Sequence, residues 1–307
     1  SENAWRKGGW ATGGSTMGLA IGETPTVEEL LRGVIVLSGN DACIVLAEGL
    51  SGSEAAFARD MTALAQEMGL SSASFKNASG LNADGHRISA IDLARLARVG
   101  IDRFPEYYSL YAQTEMTWNG ITQQNRNPLL GRFEGADGMK TGHLSVSGYG
   151  LTASAVRGND RRILVINGLS SPQARALEAE RLMRFAFNGF EKRTYTPDAE
   201  TPLARLEVWL GETQTVGVRA AEPLEVIAHK RAFAAGLSEI VYNRPIEAPV
   251  RKGQRLGSLV VTLEGREPVS VPLLATEEVA RLGFFGRALE RVARFISPQP
   301  REEGRVE

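Results

Sequence analysis

The chain has 307 residues, enough for two domains, and 43% of them are hydrophobic, an ordinary share for a globular protein. Thirty-five basic residues against 36 acidic ones leave a net charge of -1, which argues against a nucleic-acid partner, since that needs a strongly basic face. Cys43 is the only cysteine, so no intrachain disulfide forms, and the three histidines, His86, His143 and His229, lack the spacing of a zinc peptidase.

Residues 1–22 are rich in glycine and show no period, so a loop is expected there. The pairs Gly8-Gly9 and Gly13-Gly14 do not make a phosphate-binding glycine motif. Thr26-x-x-Glu29 is a capping box, followed by Leu30, Leu31, Val34 and Ile35 on one helical face. Ser38 falls at the end of that helix, and Asn40 or Asp41 is placed to cap the next one, which runs through Leu46. Cys43, inside an apolar run, reads as a small buried hydrophobe rather than a nucleophile.

Phe57, Met61, Leu64 and Met68 recur at helical spacing as core residues, with Gly69 as a stop. Ser89-x-x-Asp92 begins a further helix carrying Ile91, Leu93 and Leu96. Asn119-Gly120 predicts a hairpin between Glu115–Trp118 and Ile121–Gln123, and Gly158-Asn159-Asp160 predicts a second, joining Tyr149–Val156 to Arg162–Leu169. Pro172 opens a helix bearing Leu177, Leu182 and Phe185. Helices before and after an antiparallel sheet imply an α+β domain over residues 1–190.

Pro197 and Pro202 mark a linker. Beyond it Leu206, Val208 and Leu210, then Leu224, Val226 and Ala228, then Leu259, Val261 and Leu263 alternate with polar residues. That pattern predicts a small all-β domain over 196–276, with no cluster of catalytic residue types. In 283–296, Phe285, Leu289, Val292 and Ile296 share one helical face and Arg287, Arg291 and Arg294 the other. This amphipathic helix suits an anionic membrane surface; the alternative is a terminal helix packed on its own domain.

Two triplets carry the chemistry. Ser38-Gly39-Asn40 puts a hydroxyl and a carboxamide at a junction between helices. Lys140-Thr141-Gly142 puts an ammonium, a hydroxyl and a residue without a side chain at the edge of a strand, about a hundred residues later. Each alone is a weak signal. Their surroundings are more specific: Leu30-Leu31-Arg32-Gly33, Asp41-Ala42-Cys43, Gly80-Leu81-Asn82-Ala83-Asp84-Gly85, Asn125-Arg126-Asn127 and Asp137-Gly138-Met139 stand in order around them.

From about Trp10 to Gly286 these strings resemble the low-molecular-weight penicillin-binding proteins, and more narrowly the serine-type D-alanyl-D-alanine carboxypeptidases. The third motif of that family, Ser-x-x-Lys, is absent. Three positions before the six lysines stand Ala4, Ala73, Asp137, Gly189, Ile227 and Pro249.

The resemblance implies an incomplete penicillin-binding (β-lactamase/transpeptidase-like) domain, lacking its nucleophilic segment, followed by a β domain serving as stalk or docking module. It implies trimming of the terminal D-alanine from peptidoglycan stem peptides through an acyl-enzyme. It also implies acylation by β-lactams, work outside the cytoplasmic membrane with peripheral attachment to it, and no cofactor or metal. Ser38 would relay a proton to the departing nitrogen, and Asn40 would orient the substrate amide. Lys140 and Thr141 would hold the substrate carboxylate, and Gly142 would let its backbone approach. The His143 N–H would donate to the oxyanion, its side chain having a direct part or packing at the rim. Arg126 is a further carboxylate ligand. Asp84 and His86 read as structural. A non-catalytic peptidoglycan-binding or scaffold protein is the alternative. A β-lactamase would not need the β domain and has Ser-Asp-Asn as its usual middle motif.

Overall fold

The computed structural model describes residues 1–198 and 201–284, together with the backbone of Glu303–Val306. The chain divides into two units, Ser1–Phe187 and Asn188–Glu307.

The first unit opens with a helix where the sequence predicts a loop. Helix α1 (Glu2–Gly8) is followed by a 3-10 turn over Trp10–Thr12. The Ser1 hydroxyl accepts the Ala4 N–H, and Glu2 at one end with Arg6 and Lys7 at the other suit the helix dipole. The helix buries only Ala4 and Gly8, too few for a visible period. Gly8 packs on the backbone of Asp41, where a Cβ would come within 2.3 Å.

Helix α2 (Val27–Arg32) carries the expected capping box of Thr26 and Glu29. It widens into a π-helical turn over Gly33–Leu37, whose Ile35, Val36 and Leu37 are buried against Met17, Leu19, Leu110 and Met116. Helix α3 (Asn40–Ser51) starts without a side-chain cap. Gly39 occupies the cap position, Asn40 is the first helical residue, and Asp41 turns inward instead of capping.

Helices α4 (Glu54–Glu67) and α5 (Ala90–Arg103) are capped by Ser53 and Ser89. The buried face of α4 is Ala58 and Ala65. Met61, Leu64 and Met68 line a cavity of about 370 Å³ with Phe75, His86 and Leu96. Met68 also packs on the buried cluster of Ala65, Leu70 and Ala73, as the spacing suggests, whereas Leu64 is exposed. The short helix α6 (Pro105–Tyr108) leads to the hairpin β1 (Glu115–Trp118) and β2 (Ile121–Gln124). Its turn holds both Asn119 and Gly120 at positive φ, as a two-residue hairpin of this type requires.

Strands β3 (Ala136–Leu144), β4 (Gly148–Arg157) and β5 (Asp160–Leu169) form an antiparallel sheet in that order. Helix α7 (Pro172–Gly189) starts at Pro172 as predicted, but its buried face is Arg175, Ala179 and Met183. Ala179 and Met183 pack with Leu151, Ala153 and Ala155 of β4, while Leu177 is 72% exposed. The face on the sheet is thus set by Ala179, whose small side chain lets the helix come close, and by Met183, which fills the space beside it.

The second unit has its own core. Strand β6 (Phe190–Tyr195) precedes β7 (Ala204–Trp209), β8 (Thr215–Ala220) and β9 (Leu224–His229). Helix α8 (Lys230–Ala235), β10 (Leu237–Asn243), β11 (Ile246–Glu247), β12 (Arg255–Thr262), β13 (Val269–Ala275) and β14 (Glu303–Val306) follow. One sheet runs β11-β7-β8-β13-β12-β10-β14, and β6 pairs with β9. The alternating residues Leu206, Val208, Val226, Ala228, Leu259, Val261 and Leu263 fall in the buried cluster, as period two requires. The amphipathic segment 283–296 lies, from residue 285 onward, outside the described residues.

Candidate active site

Ser38 closes the π-helical turn in the left-handed conformation, φ 59° and ψ 36°. A non-glycine residue there costs roughly 1–2 kcal/mol. The next residue, Gly39, has no room for a Cβ, which would lie 2.9 Å from the Met17 nitrogen. The Asn40 N–H donates to the Ser15 carbonyl at 3.0 Å, and the Asn40 carboxamide lies beside Gly14.

Asp41 holds this corner together. Fully buried, its Oδ2 accepts from the Thr16 hydroxyl at 2.7 Å and from the Gly18 and Leu19 N–H groups at 2.9 Å. Its Oδ1 accepts from the N–H groups of Met17 at 2.8 Å and Ala42 at 3.0 Å. The segment carrying Ser15 is thereby tied to the start of α3.

Strand β3 brings the second triplet to the first. Lys140 Nζ donates to Ser38 Oγ at 2.9 Å and to the Thr141 carbonyl at 3.0 Å. Burial first, then the positive charges of Arg126 and Arg175, pull the Lys140 ammonium down to about 8. Arg126 donates to Ser15 Oγ at 2.5 Å. All of Ser38, Asn40, Arg126, Lys140, Thr141, Gly142 and His143 line one cavity of about 1000 Å³. His143 stacks on Tyr149 with ring centres 4.0 Å apart.

Arg175 is the residue that sequence reasoning missed. It reaches the cavity from α7 while only 7% exposed, and its guanidinium lies 5.7 Å from the Tyr149 ring centre. Its donors make only long contacts, 3.5 Å to the Gly150 carbonyl and 3.4 Å to that of Arg126, and its Nε has no partner. A cation inside the stripe Arg175, Ala179, Met183 was the available signal. Three cations therefore face one concavity, and none pairs with a carboxylate among the described residues. Such a site favours an anion of carboxylate type, with a hydroxyl and a carboxamide beside it.

Cys43 contributes no nucleophile. Burial pushes its thiol up to about 11, outweighing the opposing charge of Lys140. His86 lies outside this cavity: its Nδ1 accepts the Lys76 N–H, and its ring packs edge-on to Phe75.

Residues 1–171 match the family model described as D-alanyl-D-alanine carboxypeptidase, and residues 190–281 match that of the C-terminal domain of penicillin-binding protein 5. The chain is similar to the D-alanyl-D-alanine carboxypeptidase DacC of Escherichia coli, 37% identical over 295 residues that cover 95% of this chain and 73% of the relative. It is similar to the crystal structure of penicillin binding protein 5 from Haemophilus influenzae, with TM-score 0.69, 32% identity and coverage of 92% and 82%. It is also similar to penicillin-binding protein D2 of Listeria monocytogenes in its cefotaxime-bound form, with TM-score 0.51, 31% identity and coverage of 55% and 69%.

Proposed function

Because the chain belongs to the D-alanyl-D-alanine carboxypeptidase family of serine peptidases, we propose that its cleft grips the D-Ala-D-Ala end of a peptidoglycan stem peptide. The reaction served is removal of the terminal D-alanine through an acyl-enzyme. The observation that carries this reading is the 2.9 Å bond from Lys140 to Ser38, which joins the two triplets inside a cavity that Arg126 and Arg175 also face.

In this reading the substrate carboxylate docks on Lys140 and Thr141, and Arg126 and Arg175 supply further charge. Gly142, beside which a Cβ position meets no atom within 4 Å, leaves space for the substrate backbone. The His143 N–H donates to the oxyanion, and Asn40 orients the scissile amide. Ser38, already bonded to Lys140, passes a proton toward the leaving nitrogen; a lysine titrating near 8 is close enough to neutrality to share in that transfer. The nucleophile and its activating lysine belong to Ser-x-x-Lys, a motif these 307 residues do not contain. β-lactams, which carry an acyl group beside a carboxylate, would occupy the same cleft.

The test uses two probes. Diacetyl-lysyl-D-alanyl-D-alanine should bind the 307-residue chain reversibly, and its C-terminal amide should not. Labelled penicillin should leave no denaturation-resistant adduct on this chain, but should label one extended upstream of Ser1 to include a Ser-x-x-Lys segment. An adduct on the 307-residue chain would mean that the nucleophile is misassigned. Failure of both peptide binding and labelling of the extended chain would favour a scaffold role.

The same reading places the protein on the outer face of the cytoplasmic membrane, with segment 283–296 lying in the surface. Its support is the separation of Phe285, Leu289, Val292 and Ile296 from Arg287, Arg291 and Arg294 at helical spacing. Three arginines at an anionic surface contribute roughly 1 kcal/mol each. Deleting the segment should therefore abolish partition onto vesicles containing phosphatidylglycerol; unchanged partition would count against a membrane role for it.

A further inference from the structure

Strand β3 is irregular three residues before Lys140. Ala136 faces Ala155 on β4, but Gly138 already faces Ser154, so Asp137 has no partner of its own. From Gly138 the pairing runs without interruption, Lys140 opposite Thr152, to Leu144 opposite Gly148. A bulge of this kind resets which face of the sheet each later side chain takes. A slip of one residue turns every side chain over, so the accommodation of Asp137 decides whether Lys140 enters the cleft or leaves it.

The bulged residue is held from several sides. Asp137 Oδ1 accepts from the Tyr108 hydroxyl at 3.0 Å and from Arg161 Nη1 at 3.0 Å, and Oδ2 accepts from the same nitrogen at 2.7 Å. Arg161 Nη1 also reaches Ser154 Oγ at 2.5 Å, and Ser154 is fully buried opposite Gly138. The Arg161 guanidinium lies 5.4 Å from the Tyr108 ring centre. A Cβ on Gly138 would sit 2.7 Å from the Tyr108 hydroxyl, so the ring rests directly on the strand. Elements α6 and β5 thus meet on one carboxylate, and β4 is tied to it through Arg161. Burial, reinforced by the charge of Asp137, pushes the Tyr108 hydroxyl up and keeps it protonated as a donor. None of Tyr108, Asp137, Ser154 and Arg161 lines the cleft.

We propose that Asp137, clamped by Tyr108 and Arg161, is a positioning residue that fixes the register of β3 and so delivers Lys140 to the cleft; the consequence for substrate rests on Lys140 being the carboxylate anchor. Conversion to a purely structural part is testable, because a structural residue changes how much protein is folded but not the site within the folded fraction.

The experiment compares the 307-residue chain with its Asp137→Ala and Tyr108→Phe variants. Isotope-labelled lysine followed by NMR reports the titration of Lys140, and calorimetry reports the affinity for diacetyl-lysyl-D-alanyl-D-alanine. In the unaltered chain Lys140 should titrate near 8, held down by burial and by Arg126 and Arg175. In Asp137→Ala its titration should move up toward that of an ordinary lysine, and peptide affinity should fall by about tenfold or more. Tyr108→Phe, which removes one oxygen from the clamp, should move both readouts in the same direction by less. If folded variants keep the Lys140 titration and hold affinity within about twofold, the clamp does not position Lys140, however much the melting temperature drops. Should Asp137→Ala not fold, Tyr108→Phe decides by the same criterion. Failure of the unaltered chain to bind the peptide would count against the carboxylate anchor, while the Lys140 titration would still judge Asp137.

Discussion

Lys140 stands between opposed demands. Burial and two arginines favour its neutral amine, whereas a bound carboxylate favours the ammonium. Truncating it to alanine should weaken peptide binding by about 1.5–3 kcal/mol, roughly ten- to a hundredfold, with little change in melting temperature. Equal affinity in the variant would remove Lys140 from the anchor role. The pH dependence follows from the same residue. Affinity for the peptide should be level below about 8 and fall above it as the ammonium is lost. Stability should move the other way. The unfolded chain keeps this proton to about 10.4, so between the two values it binds more protons than the folded chain. The Lys140 contribution to stability therefore rises with pH across that window, from the depressed folded value upward. At this scale the two triplets were legible because their residue types are chemically distinctive and adjacent. Arg175 was not, since its place depends on a helix face that Ala179 and Met183, rather than the leucines, turn toward the sheet.

Among the elements, the segment from Thr16 to Leu19 and the start of α3 behave as one piece through Asp41. Asp41→Ala would leave the Thr16 hydroxyl and several N–H groups without their acceptor in a buried place, at a cost of about 3–5 kcal/mol. Denaturant titration measures it, and a loss under about 1 kcal/mol would mean that water or neighbouring groups replace the carboxylate. Capping boxes and hairpin turns were readable because each is local chemistry: Thr26 and Glu29, or Asn119 and Gly120, settle their own geometry. Helix α1 was unreadable because its burial comes from Ala4 and Gly8, small residues that leave no apolar stripe. The bulge at Asp137 was unreadable for another reason, being set by Tyr108 and Arg161 from distant parts of the chain. Strand β6 was missed because Glu191-Lys192-Arg193-Thr194 shows no apolar alternation, although it pairs along its length with β9.

Over the whole molecule, every residue that lines the cleft lies between Gly13 and Arg175, inside the first unit. The second unit buries its own apolar cluster, from Leu206 to Val279, and needs no residue of the first to do so. The change from helical to alternating patterning exposed this division in the sequence, because period two and period 3.6 bury different positions. It has a thermodynamic consequence. A ligand confined to one unit can raise the free energy of unfolding of that unit alone, by about 2.7 kcal/mol at a hundredfold excess over its dissociation constant. Scanning calorimetry with saturating peptide should therefore move one heat-absorption peak upward and leave the other in place. A single peak moving as a whole would show that the two cores melt cooperatively, and that occupancy of the cleft is felt throughout the chain.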